Sequence, residues 1–351
     1  MEITQNNIIQ FELPTHLACP QPTELRNISR DDVRLLVTTH EGQATHDTFS
    51  NFDEYLQAGD VLVINTSATI ASAFAITLPN GQPGKLHLST QLTAKNWLIE
   101  IRAVHNNTTT RWKEGEEGME FSLPQGAKLR LKERFYKNDQ LLDLWVAELS
   151  TEQKQKSYMQ KHGQPIKYTQ LQNPYPLPFY QTFFSFHPGS AEMPSAGRGF
   201  TQELLQKLIR KGVVLAPIVL HTGVSSLEED EKPYPEYMEV DPVTALLINT
   251  AKEDGRRVVA VGTTAIRAIE SAADAEGVVK AFRGNTELYI EANHQMKVAD
   301  GLLTGFHEPR ASHLHMLQSL AGFEHIERAY QEALKADYYW HQFGDLHLIL
   351  S

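Results

Sequence analysis

Four segments carry residue types that could do chemistry. In Val219-Leu220-His221-Thr222-Gly223, a histidine follows an apolar run and precedes a small turn. In α/β sheets ligands sit beyond the carboxyl ends of strands. His221 and Gly223 are therefore candidate site residues, with an ordinary core histidine as the plain alternative. In Arg257 to Arg267, a Val-rich run ends in Gly262-Thr263-Thr264 and a helix begins. Glycine permits the tight turn, a threonine can cap the helix, and free N–H groups there favour anionic or polar ligand atoms. Arg267 lies one turn further on. The segment has neither a Walker loop nor a Gly-x-Gly-x-x-Gly fingerprint, and an ordinary capped helix fits it as well. The third segment, Gly189 to Thr201, includes Pro194-Ser195-Ala196-Gly197 and lets a ligand approach the backbone closely. It also holds Glu192, a possible acid or base. The fourth, Asp300 to His315, contains His307, His313 and His315. The His-Glu-x-x-His spacing of a zinc protease is absent and Pro309 breaks any helix through it, so no metal site is expected. His307 is read instead as a hydrogen-bonding or acid–base group, or as a structural histidine.

A fifth feature concerns partners. Lys128, Arg130, Lys132 and Arg134 fall on one parity, and Leu129, Leu131 and Phe135 on the other. In a strand this gathers four cations on one face. That face is either simply solvated or a contact for RNA phosphates. The net charge of -11 argues against a molecule coated in basic patches, although local patches do the binding.

These residues need a scaffold. A chain of 351 residues suggests two domains. No apolar run is long enough to span a bilayer, no signal peptide is evident, and the single Cys19 cannot form an internal disulfide. The expectation is a cytoplasmic monomer with no membrane contact. Val33 to Val37 and Asp60 to Asn65 read as strands, the second with a continuous apolar run and buried on both faces. Phe49 to Leu56 reads as a short helix. From Leu78 to Leu149, turn signals separate short alternating runs, which suggests a small β-barrel or sandwich. After Ser150, helices at 202–210, 242–253 and 264–273 alternate with strands at 213–220 and 258–261. The expected architecture is α/β: a large domain of residues 1–77 and 150–351 with a mixed, partly barrel-like sheet, and an inserted β-barrel domain of residues 78–149.

The four segments, in this order, resemble the S-adenosylmethionine:tRNA ribosyltransferase-isomerases of queuosine biosynthesis. The resemblance extends to Arg34-Leu35-Leu36, Gly59 to Asn65, Tyr180-Gln181-Thr182-Phe183, Phe306-His307 and Gly344-Asp345. It implies an α/β domain with a small inserted β-barrel. It also implies an enzyme that transfers and isomerises the ribosyl part of S-adenosylmethionine onto a 7-aminomethyl-7-deazaguanine base in tRNA. The products are epoxyqueuosine-tRNA, adenine and methionine. S-adenosylmethionine is then a co-substrate, tRNA a partner, and no metal is needed. His221 or His307 would be the base or an orienting group, and Asp300 would hold the substrate amine or a ribose hydroxyl. Ser195, Gly197, Thr263 and Thr264 would hold S-adenosylmethionine. The sequence also departs from the family pattern. Ala68 and Ala73 stand where the family has arginines, Gly199 where it has a histidine, and family histidines are missing around Glu231 and Tyr234. Lost cations of this kind grip phosphates or bases. Two further readings follow: the same scaffold acting on a non-tRNA acceptor, or a catalytically silent S-adenosylmethionine-binding paralogue.

Overall fold

Val61–Asn65 is the axis of the molecule. All five residues are buried, which follows from a parallel neighbour on each side: Val214–Leu220 and Val258–Val261. The structure, a computed structural model, describes residues 9–40, 44–105, 108–137, 140–168, 170–171, 173–224 and 234–350. Around this axis runs a nine-stranded sheet. Its order is Phe282–Thr286, Glu236–Val240, Val214–Leu220, Val61–Asn65, Val258–Val261, Gly301–Gly305, Leu346–Leu350, Arg34–Thr39 and Ala44–Thr48. The central four strands, from Val214–Leu220 to Gly301–Gly305, are mutually parallel. The sheet is mixed because Gly301–Gly305 meets Leu346–Leu350 antiparallel, and both outer ends are antiparallel too.

Alternate residues of the central strands feed two cores, as the period of a strand requires. Val61, Val63, Val258 and Ala260 pack with Ile248 of helix Pro242–Glu253, Ile266 of helix Thr263–Ala272 and the C-terminal helices His313–Ala321 and Phe323–Lys335. Leu62, Ile64, Val259 and Val261 pack on the other face with Phe49, Phe52 and the leucines of helix Gln202–Lys211. Helix ends follow local chemistry. The Asp241 side chain accepts from Thr244 N at 2.8 Å ahead of Pro242. Gly212, at φ +87°, closes Gln202–Lys211. Phe49–Tyr55, expected as a short helix, is a 3-10 helix.

The second sheet has the order Ala73–Thr77, Pro83–Gln91, Asn96–His105, Gln140–Ser150, Lys128–Lys137 and Glu120–Ser122, with Thr108–Arg111 on a branch. Its two edge strands lie beside each other, so it forms a nearly closed barrel. This unit is larger than residues 78–149. Ala73–Thr77 pairs with Pro83–Gln91 and belongs to the barrel. Helix Gln155–His162 buries Tyr158 and Met159 in the barrel core. The structural insert therefore runs from Ala73 to about His162. A small parallel pair, Ser67–Thr69 with His187–Ser190, lies between the two sheets.

Candidate active site

The carboxyl ends of the parallel strands converge where Asn65, Leu220, Val261 and Gly305 end their runs. Asn65 binds them together. Its Nδ2 donates to Leu220 O at 2.9 Å and to Thr264 Oγ1 at 3.2 Å. Its Oδ1 accepts from Ser67 N at 3.0 Å and Leu220 N at 3.1 Å. One buried side chain thus fixes the distance between the His221 turn and the Gly262 turn. Gly262 itself sits at φ +88°, a conformation that L side chains rarely adopt.

His221 is held by a pair of serines. Its Nδ1 lies 2.8 Å from Ser67 Oγ, which lies 2.6 Å from Ser190 Oγ. Ser190 Oγ also accepts from Thr222 N at 3.0 Å. Tyr237 stacks on the imidazole with ring centroids 5.4 Å apart. Gly189 packs on the face of the ring over Nε2, Cδ2 and Cε1, where any side chain would collide. Burial, reinforced by the Lys156 and His187 charges, lowers the His221 pKa to about 4. The ring is therefore neutral at pH 7.

His221 and Gly189 line a pocket of about 760 Å³ between the sheet and the barrel. Ala68, Thr69, Trp97, Lys156, Met159, Gln181 and Tyr237 complete much of its wall. Gln181 fixes that wall: its side chain accepts from Thr69 N at 3.1 Å and donates to Thr69 O at 2.8 Å. The volume is in the range of small-molecule sites, and its polar groups are few and directed.

A second cavity, about 180 Å³, gathers Pro194, Ser195, Ala196, Gly262, Thr263, Thr264 and His307, with Glu192 and Thr222 in its wall. His307 Nε2 lies 2.9 Å from Thr304 Oγ1, and its ring stacks on His313 at 4.6 Å with an interplanar angle of 4°. Burial and then the His313 charge push the His307 pKa well below its usual value. Burial likewise lowers that of His313 to about 4. His221 faces one cavity and its neighbour Thr222 the other, so the Ser67–Ser190–His221 group forms the partition between them.

Other expected residues have other surroundings. Gly197 is buried behind the Ser195 turn, with Thr182 and Phe184 in ordinary contact distance. Gly223 lies under Tyr234 and Ser89, where a Cβ would come within 2.5 Å of the tyrosine oxygen. Its N–H donates to Glu236 Oε1 at 2.6 Å. The other Glu236 oxygen takes the Arg267 guanidinium, which also donates to Leu288 O at 3.0 Å. Arg267 thus braces the Gly223 loop from behind and lines neither cavity.

Asp300 is at the other end of the sheet. It precedes Gly301–Gly305 at that strand's amino end, accepts from Val258 N at 2.9 Å and pairs with Lys252 at 2.7 Å. The geometry removes it from the pocket because a parallel strand sends its first and last residues to opposite edges.

The basic strand is also different from its expected form. A register shift between Leu131 and Glu133 interrupts the alternation. Lys128 pairs with Glu120 at 3.3 Å and Lys132 with Glu148 at 2.7 Å. Arg134 caps the Lys113 and Gly115 carbonyls and lies over the Trp145 ring at 4.5 Å. Arg130 is exposed and sits opposite Glu120 and Glu148 in the strand pairing. Cross-strand acids offset most of this charge.

Of the departures, Ala68 lines the large pocket and Ala73 begins the barrel. Gly199 packs against Phe49 and Leu346, where a Cβ would meet the Phe49 ring at 2.7 Å. Glu231 lies outside the described residues. Sequence reading does not assign Ser67, Gln181, Lys156 or Tyr237 to the site, although Gln181 lies in the Tyr180–Phe183 segment of the resemblance and Ser67 sits just past a buried strand. Among the described residues no group of three or more His, Cys, Asp or Glu is arranged to hold a metal.

Comparison with known proteins addresses the chain as a whole. The family described as "Queuosine biosynthesis protein" matches residues 7–349. A Carboxydothermus hydrogenoformans protein named S-adenosylmethionine:tRNA ribosyltransferase-isomerase is 32% identical over 360 residues, covering 97% of this chain and 98% of that one. A Desulfitobacterium hafniense protein of the same name is 34% identical over 363 residues, with the same coverage. The crystal structure of an S-adenosylmethionine tRNA ribosyltransferase from Thermotoga maritima aligns with a TM-score of 0.54 at 26% identity, covering 97% of this chain and 99% of that one. The chain belongs to the queuosine biosynthesis protein family.

Proposed function

We propose that this enzyme transfers and isomerises the ribosyl part of S-adenosylmethionine onto the aminomethyl group of a 7-aminomethyl-7-deazaguanine base in tRNA. Adenine and methionine leave, and epoxyqueuosine remains on the tRNA. Full-length similarity to proteins named for this reaction supports the class. Within the chain, the observation that carries the reading is the neutral His221, anchored through Nδ1 on Ser67 and set in the wall of a pocket of about 760 Å³.

The sulfonium of S-adenosylmethionine makes the hydrogens on its neighbouring carbons acidic. A neutral imidazole can accept one of them. With Nδ1–H donating to Ser67 Oγ, the Nε2 lone pair is the acceptor. The lowered pKa makes His221 a weaker base than a free imidazole and its imidazolium a readier acid, suited to returning its proton to departing adenine. The amine nitrogen then bonds to a ribosyl carbon and gives up a proton to solvent, the ribosyl carbons close into the ring that carries the epoxide C–O bond, and the bonds to adenine and to methionine sulfur break. Thr263, Thr264 and Ser195 offer hydroxyls and helix-start N–H groups to the polar parts of S-adenosylmethionine in the adjoining cavity. His307 is the alternative base. Its cavity is smaller, about 180 Å³ against about 760 Å³, which favours His221. Among the described residues no helix is long and apolar enough to cross a membrane. A monomer working on tRNA in the cytoplasm completes the proposal.

A second reading keeps the chemistry and changes the acceptor to a non-tRNA molecule. It draws on Ala68, which lines the large pocket where the family pattern has arginine. Adenine release decides between them. With S-adenosylmethionine present, release should require tRNA carrying the aminomethyl base. Equal release with tRNA carrying guanine, or none with either, would sink the first reading.

A further inference from the structure

Among the described residues, Phe186 is the most exposed large hydrophobic side chain, at 66%, and Phe183 follows it in the same segment at 45%. Scattered exposed apolar residues mean little. These two differ in their mounting. Phe186 N donates to Thr66 O at 3.0 Å and to Phe184 O at 2.9 Å, and His187 N donates to the same Thr66 oxygen. The backbone is pinned while the ring faces solvent. The same segment supplies Ser185, Pro188 and Gly189 to the wall of the large pocket. Lys156 enters that wall from helix Gln155–His162. It is exposed and makes no ion pair among the described residues. The strand cations Lys128 and Lys132, by contrast, already face carboxylates.

Resting on the function proposed above, we infer that this rim is a landing surface for single-stranded RNA. Phe186 stacks on the base next to the one inserted in the pocket, and Lys156 meets the intervening phosphate. The chemistry requires such a surface. An enzyme that acts on a base must take it out of its stack, and the neighbouring base loses a partner when this happens. A fixed, exposed aromatic ring replaces that partner without regard to sequence. The Lys156 ammonium, in the wall of the same pocket, neutralises the strand where it bends. The offset charges of the Lys128–Lys137 strand leave that face no comparable role.

The test uses the full-length protein and whole substrate tRNA, measured by fluorescence anisotropy across a salt series, alongside adenine release. Phe186→Ala should weaken tRNA binding by roughly 5- to 100-fold, and Phe186→Trp should restore it. Lys156→Gln should lower the slope of log K against log salt by about 0.7, the share of one single-strand phosphate. Lys128→Gln should leave that slope nearly unchanged. Retained S-adenosylmethionine binding by Phe186→Ala checks the fold. If the wild type modifies tRNA and both rim variants bind it normally, the rim proposal is overturned and the function stands. A slope that falls with Lys128→Gln and not with Lys156→Gln overturns it too. If the wild type neither binds nor modifies tRNA, the function itself is wrong and the rim falls with it.

Discussion

Replacing Gly189 with alanine perturbs the proposed base most directly, with a single methyl added to the pocket wall. A Cβ at this position would lie 2.3 Å from His221 Nε2 and 2.4 Å from Cδ2 and Cε1. Comfortable contacts between such atoms are about 3.5–4.0 Å. The imidazole must therefore retreat by more than about 1 Å. It has nowhere easy to go, since Ser67 holds Nδ1 at 2.8 Å and Tyr237 stacks on the ring. Gly189 lies within strand His187–Ser190 and outside the left-handed region, so alanine suits its backbone. Losing the Ser67 bond costs about 0.5–1.5 kcal/mol. A misplacement of about 1 Å costs a catalytic group about 100-fold. The expected result is a kcat about 100-fold lower, with Tm lower by only a few degrees. Adenine release and thermal unfolding, measured on the same preparation, give both numbers. A kcat within about twofold of wild type, at unchanged Tm, would refute the assignment of His221 to the reaction.

Three other outcomes follow from the same geometry. Ser67→Ala removes the group that orients His221, so kcat should fall about tenfold, the worth of one hydrogen bond felt mainly in the transition state; a loss expressed only in KM would contradict this. Asp300→Ala should cost about 1–2 kcal/mol in urea unfolding, from its bond to Val258 N and a partly exposed ion pair, and leave kcat within about twofold; a collapse of kcat at intact stability would return Asp300 to the site. Finally, burial holds the pKa of His221 and His313 at about 4 and that of His347 at about 3. Unfolded, each titrates near 6.5. The unfolded chain binds more protons between those values, so stability should be level above about pH 6.5 and fall as pH drops toward 4. Glu24 and Glu100, held down to about 2, add a separate loss only below about pH 4.5. Urea midpoints that stay flat from about pH 7.5 to 4.5 would contradict the buried neutral histidines.

The sequence displays the parts of this fold whose local chemistry is unambiguous. Val61 to Ile64 is a continuous apolar run because both faces of its strand are covered, and the start of Pro242–Glu253 is marked by Asp241 and Pro242. Helix Gln155–His162 is harder to see, since only Tyr158 and Met159 are buried and the rest is polar. Phe282–Thr286 has one buried residue and no strand alternation. The start of the insert is hidden because Ala73–Thr77 continues the apolar texture of the first domain. In the site, His221, Ser195 and Gly262-Thr263-Thr264 are legible because each follows or faces the carboxyl end of a strand. Asp300 is assigned only through the resemblance, and its place just before the strand Gly301–Gly305 sets it at the amino end of the sheet, away from the pocket. Tyr237 carries no pattern, and Ser67 only its position just past a buried strand. Their role comes from register: Ser67–Thr69 pairs with His187–Ser190, and Tyr237 O accepts the His221 N–H.

The central claim is that ribosyl carbons move from S-adenosylmethionine to a base in tRNA. The most direct measurement supplies S-adenosylmethionine labelled with carbon-13 only in its ribose, together with tRNA bearing the aminomethyl base. Nucleosides and small molecules are then separated by mass spectrometry. The account predicts that the five labelled carbons appear together on the modified base, with adenine and methionine released unlabelled. Label retained in a small-molecule thioether, with none in the tRNA, would contradict it.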